Sequence, residues 1–247
     1  MDVLIEEQDG VVHVTLNRPV KRNALTMQMC KDIVAAVKSA RACSLITANG
    51  ATFCAGMDLG ERTLGDELLK VHEELFTLGA QAQKPIVVAV NGRALGGGLG
   101  LVAQGHVVLA SPSATFGLPE LKIGFWPFVV YRSVEAAIGR PRMLAASLTC
   151  ESFSADHALA WGLVHQIHVD VDEAGKRIAS DIAKSSPSAI AAGMRYVRES
   201  EGKTGHEAGE IAARLRAELA ASADYKEGTA AFREKREPHW PSLADRS

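Results

Sequence analysis

The order of apolar and polar positions divides this chain into a strand-rich first part and a helical second part. Alternating apolar residues predict a hairpin over 3–16, with its turn at Asp9-Gly10. Runs rich in β-branched residues predict further short strands at 44–47, 86–90, 107–110 and 114–116. Helical patterns lie between the strands at about 27–40 and 66–82. This alternation indicates βαβ units in a largely parallel sheet.

After residue 120 the apolar positions recur mostly with helical spacing. The predicted helices lie at about 129–138, 142–149, 155–161, 172–184, 188–199, 206–221 and 224–236, and one strand lies at 164–168. The composition changes near 185–205, where the turn residues Ser185-Ser186-Pro187 precede a charged run. We therefore predict a sheet-rich core over 1–185 and a helical C-terminal region over 186–247.

Composition and charge narrow the class of protein. A chain of 247 residues, 47% of them hydrophobic, can bury one sizeable core. The formal net charge is −2 and the basic residues are dispersed, which disfavours nucleic acid as a partner. The four cysteines lack metal-site spacing, so no metal is predicted. The sequence shows neither a signal pattern nor an apolar run of about 20 residues, so we expect a cytoplasmic protein without membrane contact.

Two glycine-containing segments follow apolar strands and are candidates for chemistry. The first is Phe53-Cys54-Ala55-Gly56-Met57-Asp58-Leu59, and the second runs from Asn91 to Gly100. Three successive glycines, Gly96 to Gly98, allow a ligand atom to approach backbone N–H groups at the start of a helix. Such a site favours a phosphate, a carboxylate or a developing oxyanion. The alternative is that the glycines only allow a helix to pack closely on the sheet.

A dinucleotide site is a weaker interpretation of the same glycines. Gly98-Leu99-Gly100-Leu101-Val102-Ala103 matches the pattern G-x-G-x-x-A, and Glu120 lies at a suitable distance along the chain. However, residues 91–97 separate the strand ending at Val90 from this motif, whereas a dinucleotide site places its first glycine at the strand end. We therefore do not expect NAD to bind.

Three segments together, in their order and spacing, resemble the crotonase superfamily of enoyl-CoA hydratases and isomerases. They are Phe53 to Asp58, Asn91 to Gly98, and Phe116-Gly117-Leu118-Pro119-Glu120, and the resemblance extends from Val11 to Arg236. It implies an α/β fold: a crotonase-like spiral of ββα units with a helical C-terminal trimerisation region. It also implies an acyl-CoA thioester as substrate, with coenzyme A as part of that substrate and no other cofactor, and a homotrimer or a hexamer built as a dimer of trimers.

The resemblance also assigns roles to particular residues. It places the two N–H donors to the thioester oxygen at Met57 and Gly97, and the general acid/base at Glu120. The residues implied to contact substrate or coenzyme A are Lys21, Arg22, Ala55, Asp58, Leu59, Gly96, Trp126 and Lys235. For the three cationic residues of that set, ordinary solvated surface charge is the alternative. Two preorganised donors suit this chemistry, since one such donor elsewhere contributes about 10²–10³-fold.

The neighbours of Glu120 and the residue at position 100 decide which reaction is expected. Apolar residues flank Glu120 in the sequence, so its carboxyl should retain a proton more readily than usual. In hydratases of the resembled superfamily a second glutamate stands where this chain has Gly100. Hydration uses two carboxylates, whereas one base can move a double bond, so isomerisation is slightly favoured. The alternatives are hydration, decarboxylation, thioester hydrolysis and non-catalytic binding of acyl-CoA.

The segment after Glu120 carries bulk where typical hydratases have small residues. Phe125, Trp126 and Phe128 either reshape the acyl pocket or fill the core. His106 is predicted to have a structural role, because it lies between a glycine and a strand. Tyr131 could donate a proton if its helix faces the pocket.

Overall fold

Nine strands form two sheets in the computed structural model, which describes residues 1–61 and 65–244. They are β1 (Val3–Gln8), β2 (Val11–Leu16), β3 (Cys43–Ala48), β4 (Ile86–Val90), β5 (Ala94–Leu95), β6 (Val107–Ala110), β7 (Thr115–Gly117), β8 (Phe153–Ser154) and β9 (Gln166–Ile167). The larger sheet has the order β1-β2-β3-β4-β6-β9, and the smaller one β5-β7-β8. In the larger sheet β1 and β2 form an antiparallel hairpin and the other neighbours are parallel.

Twelve α-helices lie in the described part of the chain. They are α1 (Met27–Ser39), α2 (Asp66–Phe76), α3 (Leu78–Gln81), α4 (Gly97–Val102), α5 (Phe128–Ile138), α6 (Arg140–Thr149), α7 (Ala155–Trp161), α8 (Val171–Ala183), α9 (Pro187–Ser200), α10 (Gly205–Ala220), α11 (Ala223–Glu234) and α12 (Pro241–Ala244). Their starts follow local capping chemistry. The Thr26 side chain accepts the Met29 N–H at the start of α1, and Thr204 and Glu207 form a capping box on α10.

The period-two alternation of the parallel strands separates two apolar clusters, one on each face of the larger sheet. On one face Leu45, Val87 and Leu109 pack against buried residues of α8. On the other face Ile46 and Val88 belong to the main core with residues of α1, α2 and α4. Burial on both faces explains why these strands appear in the sequence as continuous apolar runs.

The small sheet connects the two segments predicted to carry chemistry. Cys54 forms a parallel bridge with Ala94, and β5 pairs with β7, which ends three residues before Glu120. The glycine-rich segment therefore lies between the segment that contains Met57 and the turn that contains Glu120. Even a strand of two residues, such as β5, is sufficient to hold these segments together, because the bridges fix the backbone of all three in register.

The C-terminal helices pack mainly on one another. α9 and α10 pair, and α11 contacts α9, α10 and α12. The Asp224 carboxylate joins three helix starts by accepting hydrogen bonds from Ser186, Ser188 and Ser242. Burial opposes its ionisation, but these hydrogen bonds outweigh burial and hold the pKa of Asp224 far below its usual value. The domain boundary at 185/186 stays a prediction, and residues 62–64 and 245–247 of the two predicted regions lie outside the described residues.

The structure confirms the predicted hairpin and the predicted helices with small shifts at their ends. Two expectations need correction, and one alternative is excluded for two residues. The helix at 66–82 is divided at Thr77, and the strand at 164–168 is reduced to β9, because Val164 N–H donates to Ala158 instead of a strand. Phe125 and Phe128 do not fill the core, since their side chains are 50% and 68% exposed. No helix of the described residues is long and apolar enough to span a membrane.

Candidate active site

The backbone around Met57 is held by pairing with the segment 22–25. Ala55 N–H donates to Arg22 O at 2.9 Å, Leu25 N–H donates to Gly56 O at 2.8 Å, and Asp58 N–H donates to Leu25 O at 2.8 Å. Gly56, with a φ of 103°, interrupts the extended backbone of this segment. The Met57 N–H donates to none of the residues of segment 22–25.

Gly97 begins α4 and approaches Met57 closely. A Cβ placed on Gly97 would lie 3.4 Å from Met57 N and 2.9 Å from Met57 Sδ. The preceding residue, Gly96, has a φ of 52°, which an L side chain rarely adopts, and its N–H donates to Gly117 O. This residue of positive φ turns the chain from β5 into α4, whose first residue, Gly97, then lies against Met57.

The N–H groups of Met57 and Gly97 have no hydrogen-bond acceptor in the part of the chain that the structure describes. Neither Met57 N–H nor Gly97 N–H donates to any of those residues. The first N–H groups of a helix have no partner within the helix, and they favour negative charge. Two such donors on adjacent segments can bind one anionic oxygen.

The Glu120 carboxyl lies beside this pair. A Cβ placed on Gly96 would meet Glu120 Oε1 at 2.8 Å, so that the carboxyl and the glycine are in close contact. Glu120 Oε2 is buried and has no hydrogen-bond partner among the described residues. Burial raises the pKa of Glu120, although a hydrogen bond from its own backbone N–H opposes this shift. A partly desolvated carboxyl next to two free N–H donors is suited to proton transfer.

The space at Gly100 is already filled. A Cβ there would lie 2.3 Å from Val130 Cγ1 and 2.9 Å from Phe76 Cε1. Gly98 is equally restricted, since its Cβ would lie 2.3 Å from Cys54 O. The two interpretations of the glycines therefore apply to different residues: Gly98 and Gly100 permit close packing, whereas Gly96 and Gly97 face Glu120 and Met57.

Asp58 is engaged by a residue that the sequence did not indicate. Its carboxylate pairs with Arg18 and also accepts the Gly60 N–H at 2.9 Å. The same guanidinium donates to Ala24 O at 3.1 Å. The hydrogen bond from Arg18 is the largest cause that holds the pKa of Asp58 below its usual value. Arg18 thus connects the two paired segments next to Met57. Arg18 and Asp58 are far apart in the sequence, so no local pattern indicated their contact.

The Arg18–Asp58 pair supports a prediction about stability. Replacing Arg18 by methionine is expected to cost about 1–2 kcal/mol at pH 7, because a half-buried carboxylate loses a charge-assisted hydrogen bond. Because the folded-state pKa of Asp58 is lowered, its contribution is present above the unfolded value of about 3.9 and lost as pH falls through the folded value. Urea unfolding of the parent and of Arg18→Met, at pH 7 and at low pH, measures this contribution.

The matched control for this prediction is Arg41→Met. Arg41 pairs with Glu7 at 3.3 Å, but both side chains are largely exposed, so its replacement should change stability by less than about 0.5 kcal/mol. Equal effects of the two substitutions at pH 7, or a loss for Arg18→Met that persists at low pH, would contradict the proposed pairing.

The other predicted substrate contacts differ in position. Ala55 and Gly96 lie on the segments just described, whereas Lys21, Arg22 and Leu59 are exposed on the neighbouring loops. Trp126 is half-buried and stacks on Tyr131 with ring centroids 6.0 Å apart. Lys235 directly follows α11 and is exposed, and that helix packs mainly on α9 and α12. Within one chain, Lys235 is therefore not brought to Met57 and Gly97 by the main helix contacts.

His106 is engaged by the scaffold, as predicted. Its Nδ1 accepts the Ile86 N–H at 3.0 Å, and its Nε2 lies 3.1 Å from Gly79 O. Burial lowers its pKa. Among residues 1–61 and 65–244, no group of three or more His, Cys, Asp or Glu side chains is arranged to hold a metal ion.

Comparison with known proteins gives consistent matches over nearly the whole chain. The family model described as enoyl-CoA hydratase/isomerase matches residues 6–243. The chain is 34% identical to 2,3-dehydroadipyl-CoA hydratase of Escherichia coli K12, over 96% of this chain and 97% of that protein. It is 28% identical to 1,2-epoxyphenylacetyl-CoA isomerase of the same organism, over 96% and 97%. A solved enoyl-CoA hydratase/isomerase from Mycobacterium paratuberculosis superposes with a TM-score of 0.88 at 27% identity, covering 97% of this chain and 98% of that one.

Proposed function

This chain belongs to the enoyl-CoA hydratase/isomerase family, and we propose that it moves a double bond in an enoyl-CoA ester by proton transfer through Glu120. The family and its crotonase fold make it an enzyme that acts on acyl-CoA. Which reaction it performs, and through which residues, is the content of the proposal.

The thioester oxygen is proposed to bind between the N–H groups of Met57 and Gly97. Removing a proton next to a thioester places negative charge on that oxygen, and preorganised donors stabilise the charge as it develops. Support comes from the short approach of the two segments and from the absence of another acceptor for either N–H among the described residues. The Met57 side chain is not needed for this role, because the donor is its backbone.

Glu120 is proposed to remove the proton from one carbon and return it to another. A general base must reach the proton directly, and the carboxyl lies against Gly96, the residue before one of the two donors. Burial favours its protonated form, so the carboxyl can hold the proton between the two steps. The electron pair of the broken C–H bond passes through the enolate and forms the new C–H bond at the other end of the allyl system. No net atom is gained or lost.

The observation that carries isomerisation over hydration is the packing at Gly100. Hydration requires a second group to hold and activate water, and the position implied for that group has no side chain. The surrounding space is occupied by Val130 and Phe76. Hydration remains the second candidate, because most of the similar proteins carry hydratase names, including the 2,3-dehydroadipyl-CoA hydratase.

Coenzyme A is proposed to lie along the exposed cations Lys21 and Arg22, whose segment pairs with that of Met57. Lys235 is proposed to complete this site within a homotrimer or a hexamer. The exposed Phe232 on α11, 86% accessible in the single chain, supports an interface there. A cytoplasmic location is part of the same proposal.

The test is an assay of the purified protein with 2-enoyl-CoA and 3-enoyl-CoA esters, followed by mass spectrometry and by absorbance. Double-bond migration without a change in mass is the expected result. A gain of one water would identify a hydratase that lacks the second glutamate and would overturn the isomerase assignment. Binding of both esters without either product would direct the search to another reaction of the family.

A further inference from the structure

A histidine interrupts the apolar buried face of α2. The buried residues of this helix are Leu68, His72, Leu75 and Phe76. They recur with the spacing of one helical face, and that face packs toward α1, α4 and α5. His72 is only 8% exposed, so the core accommodates an imidazole at a position where the helix otherwise presents hydrocarbon.

The ring of His72 has an unmet hydrogen-bonding group. Its Nε2 is buried and has no partner among residues 1–61 and 65–244. A buried polar atom without a partner is unfavourable, and native structures usually satisfy such atoms with protein, water or ligand. Burial is the largest influence on the ring and lowers its pKa, although the charge of Glu61 opposes this. The ring is therefore neutral near pH 7.

α2 packs on the helices that begin at Gly97 and after Glu120. α2 follows the loop of Met57, α4 begins at Gly97, and α5 follows the turn of Glu120; these three helices pack on one another. On the proposed function, an acyl group attached to a thioester at the two donors extends between these helices. The ring of Phe76 on α2 abuts Gly100 of α4.

His72 lies one helical turn before Phe76 on the same face of α2, with ring centroids 6.1 Å apart. It is therefore nearer than Phe76 to the end of α2 that follows the Met57 loop. On the other side, Glu61 is anchored at the start of α1, where its Oε2 accepts the Met27 N–H at 2.7 Å. These contacts place His72 on the buried face of α2, next to Phe76 and within reach of the charge of Glu61.

We propose that His72 Nε2 hydrogen-bonds an uncharged oxygen, a hydroxyl or a carbonyl, on the acyl chain of the substrate. This inference rests on the proposed function, since it takes the acyl group to extend from Met57 and Gly97. A carboxylate on the acyl chain fits less well, because the neutral ring provides no countercharge and the charge of Glu61 acts on the same ring. The histidine thus selects oxygenated acyl chains over plain hydrocarbon chains of equal length.

The test measures binding of saturated esters, which cannot isomerise. Hexanoyl-CoA, a series of its hydroxy analogues with the hydroxyl moved along the chain one carbon at a time, and adipyl-CoA are titrated calorimetrically into the protein and into His72→Leu. We expect at least one hydroxy ester to bind the unaltered protein about ten-fold more tightly than hexanoyl-CoA. His72→Leu should remove that preference, and His72→Gln, which retains a hydrogen-bonding side chain, should restore part of it.

The matched control is His206→Leu, since His206 is an exposed histidine on α10 and its replacement should leave the preference unchanged. Equal loss of affinity for hydroxy and plain esters in His72→Leu would show a purely structural role and overturn the proposal. So would the absence of any preference in the unaltered protein, or tightest binding of adipyl-CoA.

This experiment is separable from the test of the proposed function. Binding of saturated esters requires no turnover, so a lack of isomerase activity does not affect its outcome. Conversely, isomerase activity together with indifference to the hydroxyl would leave the role of Glu120 intact and remove only that of His72. Thermal unfolding of His72→Leu checks that the variant is folded, and an apolar residue there is expected to be tolerated, because the buried face is otherwise apolar.

Discussion

Glu120→Gln is expected to reduce isomerisation of an enoyl-CoA ester by about 10³-fold while acyl-CoA binding changes little. Glutamine has nearly the same shape and still reaches Gly96, but its amide cannot accept and return a proton. The proposed oxyanion donors at Met57 and Gly97 are unchanged in this variant, so affinity for the ester should be retained. Steady-state kinetics and calorimetric titration of the same preparation measure the two quantities separately.

The pH profile gives this prediction a second measure. The base must be deprotonated to act, and burial raises the pKa of Glu120 above the ordinary glutamate value of about 4.3. We therefore expect kcat/KM to fall as pH decreases through that raised pKa. Because ionisation of Glu120 is less favourable in the folded state than in the unfolded chain, the carboxylate reduces stability at neutral pH. The glutamine variant should be at least as stable as the parent at pH 7.

The matched control is Glu151→Gln, which alters an exposed glutamate and should leave both rate and pH profile unchanged. If Glu120→Gln retained more than about a tenth of the parental rate, another group would be the base. A loss of rate accompanied by a loss of stability would instead indicate a structural glutamate.

The sequence could predict the parts of this site that depend on local backbone chemistry. Successive glycines indicated where N–H groups are accessible, and the order of the three motif segments carried the resemblance. The structure places Met57 against Gly97, and Glu120 against Gly96. The roles that the resemblance implied for these residues stay predictions. The long helices were predictable for a related reason, since apolar spacing over several turns and capping residues such as Thr26 are visible in the sequence.

What the sequence could not predict depends on contacts between distant positions. β5 and β8 have two residues each, too few to show a period, yet β5 positions the glycine-rich segment. The pairing of Arg18 with Asp58 joins residues that no local pattern relates. Aromatic side chains were equally ambiguous: residue type does not say whether a ring points inward, and Phe128 is exposed whereas Phe76 is buried beside Gly100.

Gly100→Glu is expected to destabilise the protein by more than about 3 kcal/mol and to yield no hydratase activity. The Cβ alone would lie 2.3 Å from Val130 Cγ1 and 2.9 Å from Phe76 Cε1, inside van der Waals contact. The remainder of the side chain would place a carboxylate in an apolar interior, where ionisation without a partner is strongly unfavourable. Introducing a second glutamate at position 100 therefore also requires smaller side chains around it.

The contribution of space is separated from that of charge by two further variants. Gly100→Ala adds only the Cβ and should cost about 1–3 kcal/mol by overpacking, even though alanine is the better helix former. Val130→Ala in the same chain removes the nearest side-chain atoms and should recover part of that loss. Urea unfolding measures all of these variants, and mass spectrometry of products from a 2-enoyl-CoA ester detects hydration. The prediction is contradicted if Gly100→Glu is as stable as its parent or adds water to the ester. Either result would show that Val130 and Phe76 move readily to accommodate a side chain. The structural basis for preferring isomerisation would then fail.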